Sequence, residues 1–278
     1  VDEYIKGRTP NPCVRCNIKI KWDSLIRKAD ELGADYIATG HYARVRFNDA
    51  TDRYELLKGH DEKKDQSYAL WGIKQENLAR TLFPLGEFTK PEIRNLARKY
   101  GLRTAEKKES MEICFVPDNN YHRFLKQADP DLEERVKNGQ LVDTEGRSLG
   151  RHKGFPFFTV GQRRGIGTGF GKPMYVIDTN PESNEVVIGE KKDLYSQGLL
   201  AGSANFISIA DAQEGVEAFI KIRYNDRGSR GTVYSNGGDG IRVRFDQPKE
   251  AVTPGQSVVF YEGERLLGGA IIEKAEDN

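Results

Sequence analysis

Between residues 17 and 33, apolar side chains recur at Trp22, Leu25, Ile26, Ala29 and Leu32. That three-to-four spacing predicts an amphipathic helix, with Gly33 as its C-terminal cap. Residues 34–40, ADYIATG, then read as a short buried strand ending at Gly40 and His41. A second helix is predicted over 89–101. Thr89 and Glu92 make its capping box, Ile93, Leu96, Ala97 and Tyr100 its apolar face, and Gly101 its end. Residues 120–125 open another helix. Helix and strand alternating in this way suits an α/β sheet, where ligands gather at the carboxyl ends of strands.

Beyond about residue 128 the pattern changes: glycine becomes frequent and strands short. Residues 141–190 predict a small mixed or β domain, with two strands about the turn Asn180-Pro-Glu-Ser-Asn184. From about residue 198 the alternation is all β. Ile220, Ile222 and Tyr224 alternate with Lys221 and Arg223, and Ile241, Val243 and Phe245 with Arg242 and Arg244. Five or six such strands predict a small barrel whose polar faces carry these cations with Arg227 and Arg230. The expected units are 1–127, 128–195 and 196–278.

The chain has 278 residues, 37% hydrophobic and 31% charged, which fits a soluble globular protein of two or three domains. No apolar run approaches the roughly 18 residues of a membrane span, and the polar opening shows no secretory signal. A net charge of +1 argues against a strong non-specific polyanion binder, so any nucleic-acid contact is expected as a local patch. Three cysteines are an odd number, which points to a reducing, cytoplasmic compartment with thiols kept for chemistry or metal. The chain starts at Val1 and reaches a motif-dense segment within ten residues, as expected of a fragment or a processed chain.

The stretch TPNPCVRCN places Cys13 and Cys16 in a proline-rich loop with two residues between them, and Cys114 lies far along the chain. A structural zinc site needs four ligands, and only three Cys and four scattered His are available. A redox pair at a helix start and two packing thiols are the alternatives. Cys114, in the apolar MEICFVP, reads by itself as core. The GHDEKKDQSY segment reads as a solvated turn. Arg163 and Arg164 among the glycines of VGQRRGIG suit either phosphate contact or an ordinary loop. The basic barrel face is a candidate phosphate surface or a half-solvated sheet. None of these patterns names a reaction.

Taken in order, GRTPNPCVRCN, ADYIATGHYAR, KDQSYAL, ICFVPD, GQRRGIG and AVTPGQSVVFYEGERLLGGAII are specific. Together they resemble the tRNA-specific 2-thiouridylases over essentially the whole chain. The resemblance implies an α/β ATP-pyrophosphatase-type domain (of the adenine nucleotide alpha hydrolase type), present in part over 1–127, then a central mixed/β domain and a C-terminal β-barrel. It implies ATP, with Mg, adenylating the C2 oxygen of the wobble uridine of tRNA, followed by sulfur delivery from a cysteine persulfide. A cysteine desulfurase or a sulfur-relay protein would supply the persulfide, with no membrane involved. By position, Cys114 matches the persulfide cysteine and Cys16 its partner, the pair ending as a disulfide. Asn11, Pro12 and Cys13 match the loop holding the target base, and Gly40 an ATP-contacting glycine. His41, Lys64, Asp65 and Gln66 match tRNA contacts, as do Arg223, Tyr224 and Gln256 from the barrel. The family acts on an extruded base.

Two departures matter. The family's Ser-Gly-Gly-x-Asp-Ser nucleotide loop is absent from these residues, which implies a truncated chain, inactive alone or acting only as a tRNA-binding module. Cys13 stands where many members have Asp. Cys13, Cys16 and Cys114 are therefore an alternative ligand set for an iron–sulfur cluster, as in related tRNA-thiolating enzymes. An argininosuccinate-synthase-like ligase is a further alternative, but it needs neither the paired thiols nor a basic barrel.

Overall fold

The computed structural model of the chain describes residues 1–107, 116, 118, 120–167 and 170–277. In the first unit a helical rod runs from Pro12–Cys16 through a π-helical turn, Asn17–Trp22, into Asp23–Glu31. Asn11 starts it: its Oδ1 accepts from the backbone N–H groups of Cys13 and Val14, at 3.2 and 3.4 Å, and Pro12 takes the first helical position. Trp22 and Ala29 are buried and Ile26 packs against them. Leu25 and Leu32, expected on the same face, are exposed. At 3.6 residues per turn they lie about 60–80° round the helix from Trp22, outside the narrow stripe that meets the core. Gly33 ends the rod with φ +66°.

Strand β1 is only Ile37–Ala38, shorter than the sequence suggests. It pairs in parallel with β4, Thr81–Leu82, which sets its length. Between them β2 (Ala43–Asn48) and β3 (Arg53–Lys58) form an antiparallel hairpin. The helix Lys90–Lys99 carries the expected capping box, with the Thr89 N–H donating to Glu92 Oε2 at 2.7 Å. Its face is half-buried at Ile93, Leu96 and Ala97, and Tyr100, past its end, is exposed.

The central sheet comprises β5 (Gly139–Val142), β6 (Ser148–His152), β7 (Tyr175–Asn180) and β8 (Glu185–Gly189), in the order β6-β5-β8-β7. Asn180 closes the expected turn by accepting from the N–H groups of Glu182 and Ser183. Leu125, Leu132, Phe155, Phe157, Val176 and Ile188 form its core, and Tyr4, on the short helix Asp2–Ile5, stacks on Tyr121 beside it, 5.6 Å between ring centres.

Six strands close the C-terminal barrel: β9 (Tyr195–Phe206), β10 (Val216–Lys221), β11 (Ser229–Ser235), β12 (Ile241–Glu250), β13 (Ser257–Glu262) and β14 (Arg265–Glu276). Their order is β13-β10-β11-β12-β9-β14, and pairing of β13 with β14 completes the ring. Ile220, Val243, Phe245 and Phe260 fill it, while Arg242 and Arg244 point outward as their alternation requires.

The hairpin of the first unit extends this barrel. Strand β3 pairs with β14 through Leu57–Arg265 and Leu56–Leu266, giving an eight-stranded sheet. Buried Glu55 fastens the joint by accepting from Arg46, Asn48 and Arg265. These donors outweigh the effect of burial and hold its carboxyl below the usual carboxylate range. Trp71 lies on β14, where a Cβ at Gly269 would come within 2.6 Å of the indole. Its Nε1–H donates to Ser257 Oγ at 2.9 Å, and Tyr68 donates to the Ser257 carbonyl at 2.8 Å. The first unit and the barrel therefore share one core.

Candidate functional site

Cys13 and Cys16 stand three residues apart on the Asn11-capped helix. Cys13 is exposed and Cys16 half-buried. An i,i+3 pair lies on one helix face, so both thiols look to the same side. Asn11 Oδ1 is engaged by the cap, which leaves its amide Nδ2 without a partner among the described residues. Asn11, Val14, Arg15 and Lys19 line a cleft of about 580 Å³, closed opposite by 202–205 of β9 and by Glu273 of β14.

The strand-like strap before this helix is clamped to the barrel. The Thr9 N–H donates to the Pro254 carbonyl at 2.9 Å, and Gln256 Nε2 donates to the Thr9 carbonyl at 2.8 Å. Gly255, with φ +89°, lets the two backbones meet: a Cβ there would lie 3.0 Å from Thr9. Gln256 thus spends its donor on positioning the thiol loop.

Gly40 follows the carboxyl end of β1 and is exposed. His41, next to it, is buried against Trp22 and Phe83, so its ring does not face solvent. Burial, and then the nearby Lys21 charge, lower its pKa to about 4. The ring is therefore neutral at pH 7. Its Nε2 accepts from Lys21 Nζ at 3.0 Å, and its Nδ1–H donates to Thr39 Oγ1 at 2.8 Å. The arrangement holds an ammonium beside the end of β1. Sequence reasoning missed Lys21. No periodicity marks it, although π-helical turns such as 17–22 often sit at functional sites.

The loop 64–66 and the barrel residues 223–224 are brought together. Tyr224 donates from its hydroxyl to the Asp65 carbonyl at 2.9 Å. The Asp65 carboxylate accepts from the N–H groups of Gly59 and Ser67 and from Ser67 Oγ, and Gln66 Oε1 accepts from the Tyr42 N–H. Asp65 and Gln66 thus shape the loop from within. Arg223 donates to the Ala251 carbonyl. Lys221 sits over the Tyr68 ring, and Lys58 over that of Tyr261. Burial draws the Lys221 ammonium below its ordinary range, against the pull of Asp65 and Asp226. The seam is a cationic strip with aromatic backing, suited to a phosphate backbone.

Residues 1–118 match the tRNA methyl transferase HUP domain family, 124–190 the tRNA methyl transferase PRC-barrel domain, and 196–272 the aminomethyltransferase beta-barrel domain. Among curated proteins, the tRNA-specific 2-thiouridylase of Carboxydothermus hydrogenoformans is 52% identical over 98% of this chain and 74% of its own length. That of Salinibacter ruber is 50% identical over 98% and 72%, and that of Chlorobium luteolum 51% over 99% and 75%. The chain belongs to the tRNA-specific 2-thiouridylase family.

As a 2-thiouridylase family member it carries an α/β nucleotide-hydrolase-like domain, a central PRC-barrel domain and a closed six-stranded β-barrel. Cys114 lies outside the described residues, so the structure gives no geometry for its approach to Cys16. The suggested cluster would draw two of its three thiolates from the i,i+3 pair Cys13 and Cys16 and the third from Cys114. Among the described residues no group of three His, Cys, Asp or Glu is placed to hold a metal ion. No helix among them is long and apolar enough to cross a membrane.

The His41 environment predicts a pH dependence of stability. The unfolded chain, with His at its ordinary 6.5, takes up a proton that the folded chain, at about 4, does not. The contribution is complete above pH 6.5 and is lost as pH falls through this window, by about 3 kcal/mol at pH 4. Urea unfolding of wild type and His41→Asn between pH 7 and 4 checks it. A variant as pH-sensitive as wild type would refute the assignment.

Proposed function

We propose that the chain carries out ATP-dependent 2-thiolation of the wobble uridine of tRNA. The reading rests on about 50% identity, over practically all of its length, to proteins named tRNA-specific 2-thiouridylase. Within it the units are 1–127 for the catalytic α/β part, 128–195 for the central domain and 196–278 for the barrel. ATP, with Mg, sits at the carboxyl end of β1 beside Gly40, where Lys21, oriented by His41, meets its phosphates. The wobble uridine is held by the loop Asn11, Pro12 and Cys13, of which Asn11 also lines the cleft. The tRNA backbone runs along Lys64, Arg223 and Tyr224, with Asp65 and Gln66 holding that surface in shape and Gln256 holding the thiol loop.

The uridine C2 oxygen attacks the α-phosphorus of ATP, pyrophosphate leaves, and AMP becomes the leaving group at C2. The terminal sulfur of a Cys114 persulfide then attacks C2 and AMP departs. The Cys16 thiolate attacks the Cys114 sulfur, and the bond to the transferred sulfur breaks. Its electron pair stays on that sulfur, leaving 2-thiouridine and a Cys16–Cys114 disulfide. A dithiol reductant returns the disulfide to two thiols, being itself oxidised to a disulfide, and a persulfide-bearing protein, a cysteine desulfurase or a sulfur-relay protein, then recharges Cys114. A reducing cytoplasm suits such a cycle.

The test is mass spectrometry of nucleosides from unmodified tRNA incubated with the protein, ATP and a persulfide donor. Accumulation of 2-thiouridine is expected. A second reading, a tRNA-binding module, rests on the cationic seam at Lys64, Arg223 and Tyr224 alone. Specific tRNA binding with no 2-thiouridine would select it.

A further inference from the structure

The central unit holds a cavity of about 530 Å³ that the thiolation site does not use. Buried Phe157 and Phe158 are its floor. Lys126, Arg151, Lys153 and Arg164 stand round it, against a single acid among the described lining residues, Glu133. That acid is already taken by Lys126, 2.5 Å away. The side chains of Arg151, Lys153 and Arg164 have no hydrogen-bond or ion-pair partner among the described residues. The cavity therefore concentrates about three uncompensated positive charges in a chain whose net charge is +1. A concave site with one sign of charge over an apolar floor focuses its field on an anion. After burial, Lys126 and Lys153 also push the rim imidazole of His122 below its ordinary range.

The loop that brings Arg164 here is built. Gln162 accepts from the Thr159 N–H and donates to the Arg164 carbonyl, at 3.1 and 2.8 Å, and Gly165 turns with φ +74°. The same loop begins against the barrel: a Cβ at Gly161 would lie 3.6 Å from Arg223 Nη2. The loop that carries Arg164 thus starts beside Arg223 of the cationic seam, which favours an extended polyanion over a free small anion.

We infer that this cavity binds backbone phosphates of the RNA substrate, extending its track from Arg223 onto the central domain through Arg151, Lys153 and Arg164. The inference rests on the tRNA reading above. Binding of unmodified tRNA to the full chain is to be measured across a KCl series, for wild type, Arg151→Ala/Arg164→Ala, Arg151→Lys/Arg164→Lys and Arg163→Ala. Arg163 does not line the cavity. The double alanine variant should bind about 10-fold more weakly near 0.15 M salt, with a salt slope smaller by about 1.4 for two lost phosphates. The lysine pair and Arg163→Ala should keep the wild-type slope. Wild-type affinity and slope in the double alanine variant would overturn the inference and leave the tRNA reading intact. Absence of binding by wild type would overturn both. Adenosine monophosphate binding that the double variant loses, with RNA binding unchanged, would assign the cavity to a free nucleotide instead.

Discussion

Cys16→Ser is expected to lower the rate of 2-thiouridine formation on the order of 10⁴-fold, as losses of a covalent participant do, while leaving tRNA affinity intact. The change is nearly isosteric, and Cys16 is half-buried with its helix held by the Asn11 cap and the Gln256 clamp, so the fold should not move. A hydroxyl cannot accept sulfur or resolve a mixed disulfide, so the loss should fall on turnover and not on KM. Cys13→Ala is the companion variant. Exposed Cys13 has no step in the persulfide route, and the variant should retain activity within a few-fold. Equal loss in both variants, with iron and sulfide in anaerobically purified wild type but not in Cys13→Ala, would replace that route by a cluster. Full activity of Cys16→Ser would remove Cys16 from the mechanism altogether.

Trp71→Ala should destabilise the protein by about 4 kcal/mol, the usual cost of removing a fully buried large aromatic side chain. Trp71 is 2% exposed, lies against Gly269 of β14 and donates to buried Ser257. Its removal leaves a cavity and an unpaired hydroxyl at the joint between the first unit and the barrel. Trp71→Phe keeps most of the volume but not the N–H, and should cost about 1–3 kcal/mol, the penalty of one buried unsatisfied partner. Urea unfolding checks both. A loss under 1 kcal/mol in Trp71→Ala would mean that the two units do not share a core. A variant with lower tRNA affinity but unchanged thiol accessibility would place the damage at the seam between 64–66 and 223–224.

Much of the local structure was legible. The capping box at Thr89, the stop at Gly33, the turn at Asn180 and the barrel strands with Arg242 and Arg244 outward all follow from hydrogen bonds and periodicities that close within a few residues. The motif order from GRTPNPCVRCN to LLGGAII was enough to identify the family. Less local features were misread. Leu25 and Leu32 have the right period and the wrong side, because periodicity marks a stripe without saying how wide the surface is that will cover it. The hairpin 43–58 pairs locally about the turn 49–52, but its docking on β14, more than 200 residues away, has no signal in the sequence.

By itself, then, the sequence determined the family, the C-terminal barrel and many of the short elements. Tertiary structure alone decided what those residues do in place. It turned His41 inward to hold Lys21 and set Gln256 to clamp Thr9. It joined Tyr224 to the 64–66 loop and gathered Arg151, Lys153 and Arg164 round one cavity. Each of these depends on the register of distant strands and on what lies buried beneath a side chain, and neither is encoded within any short window of the chain.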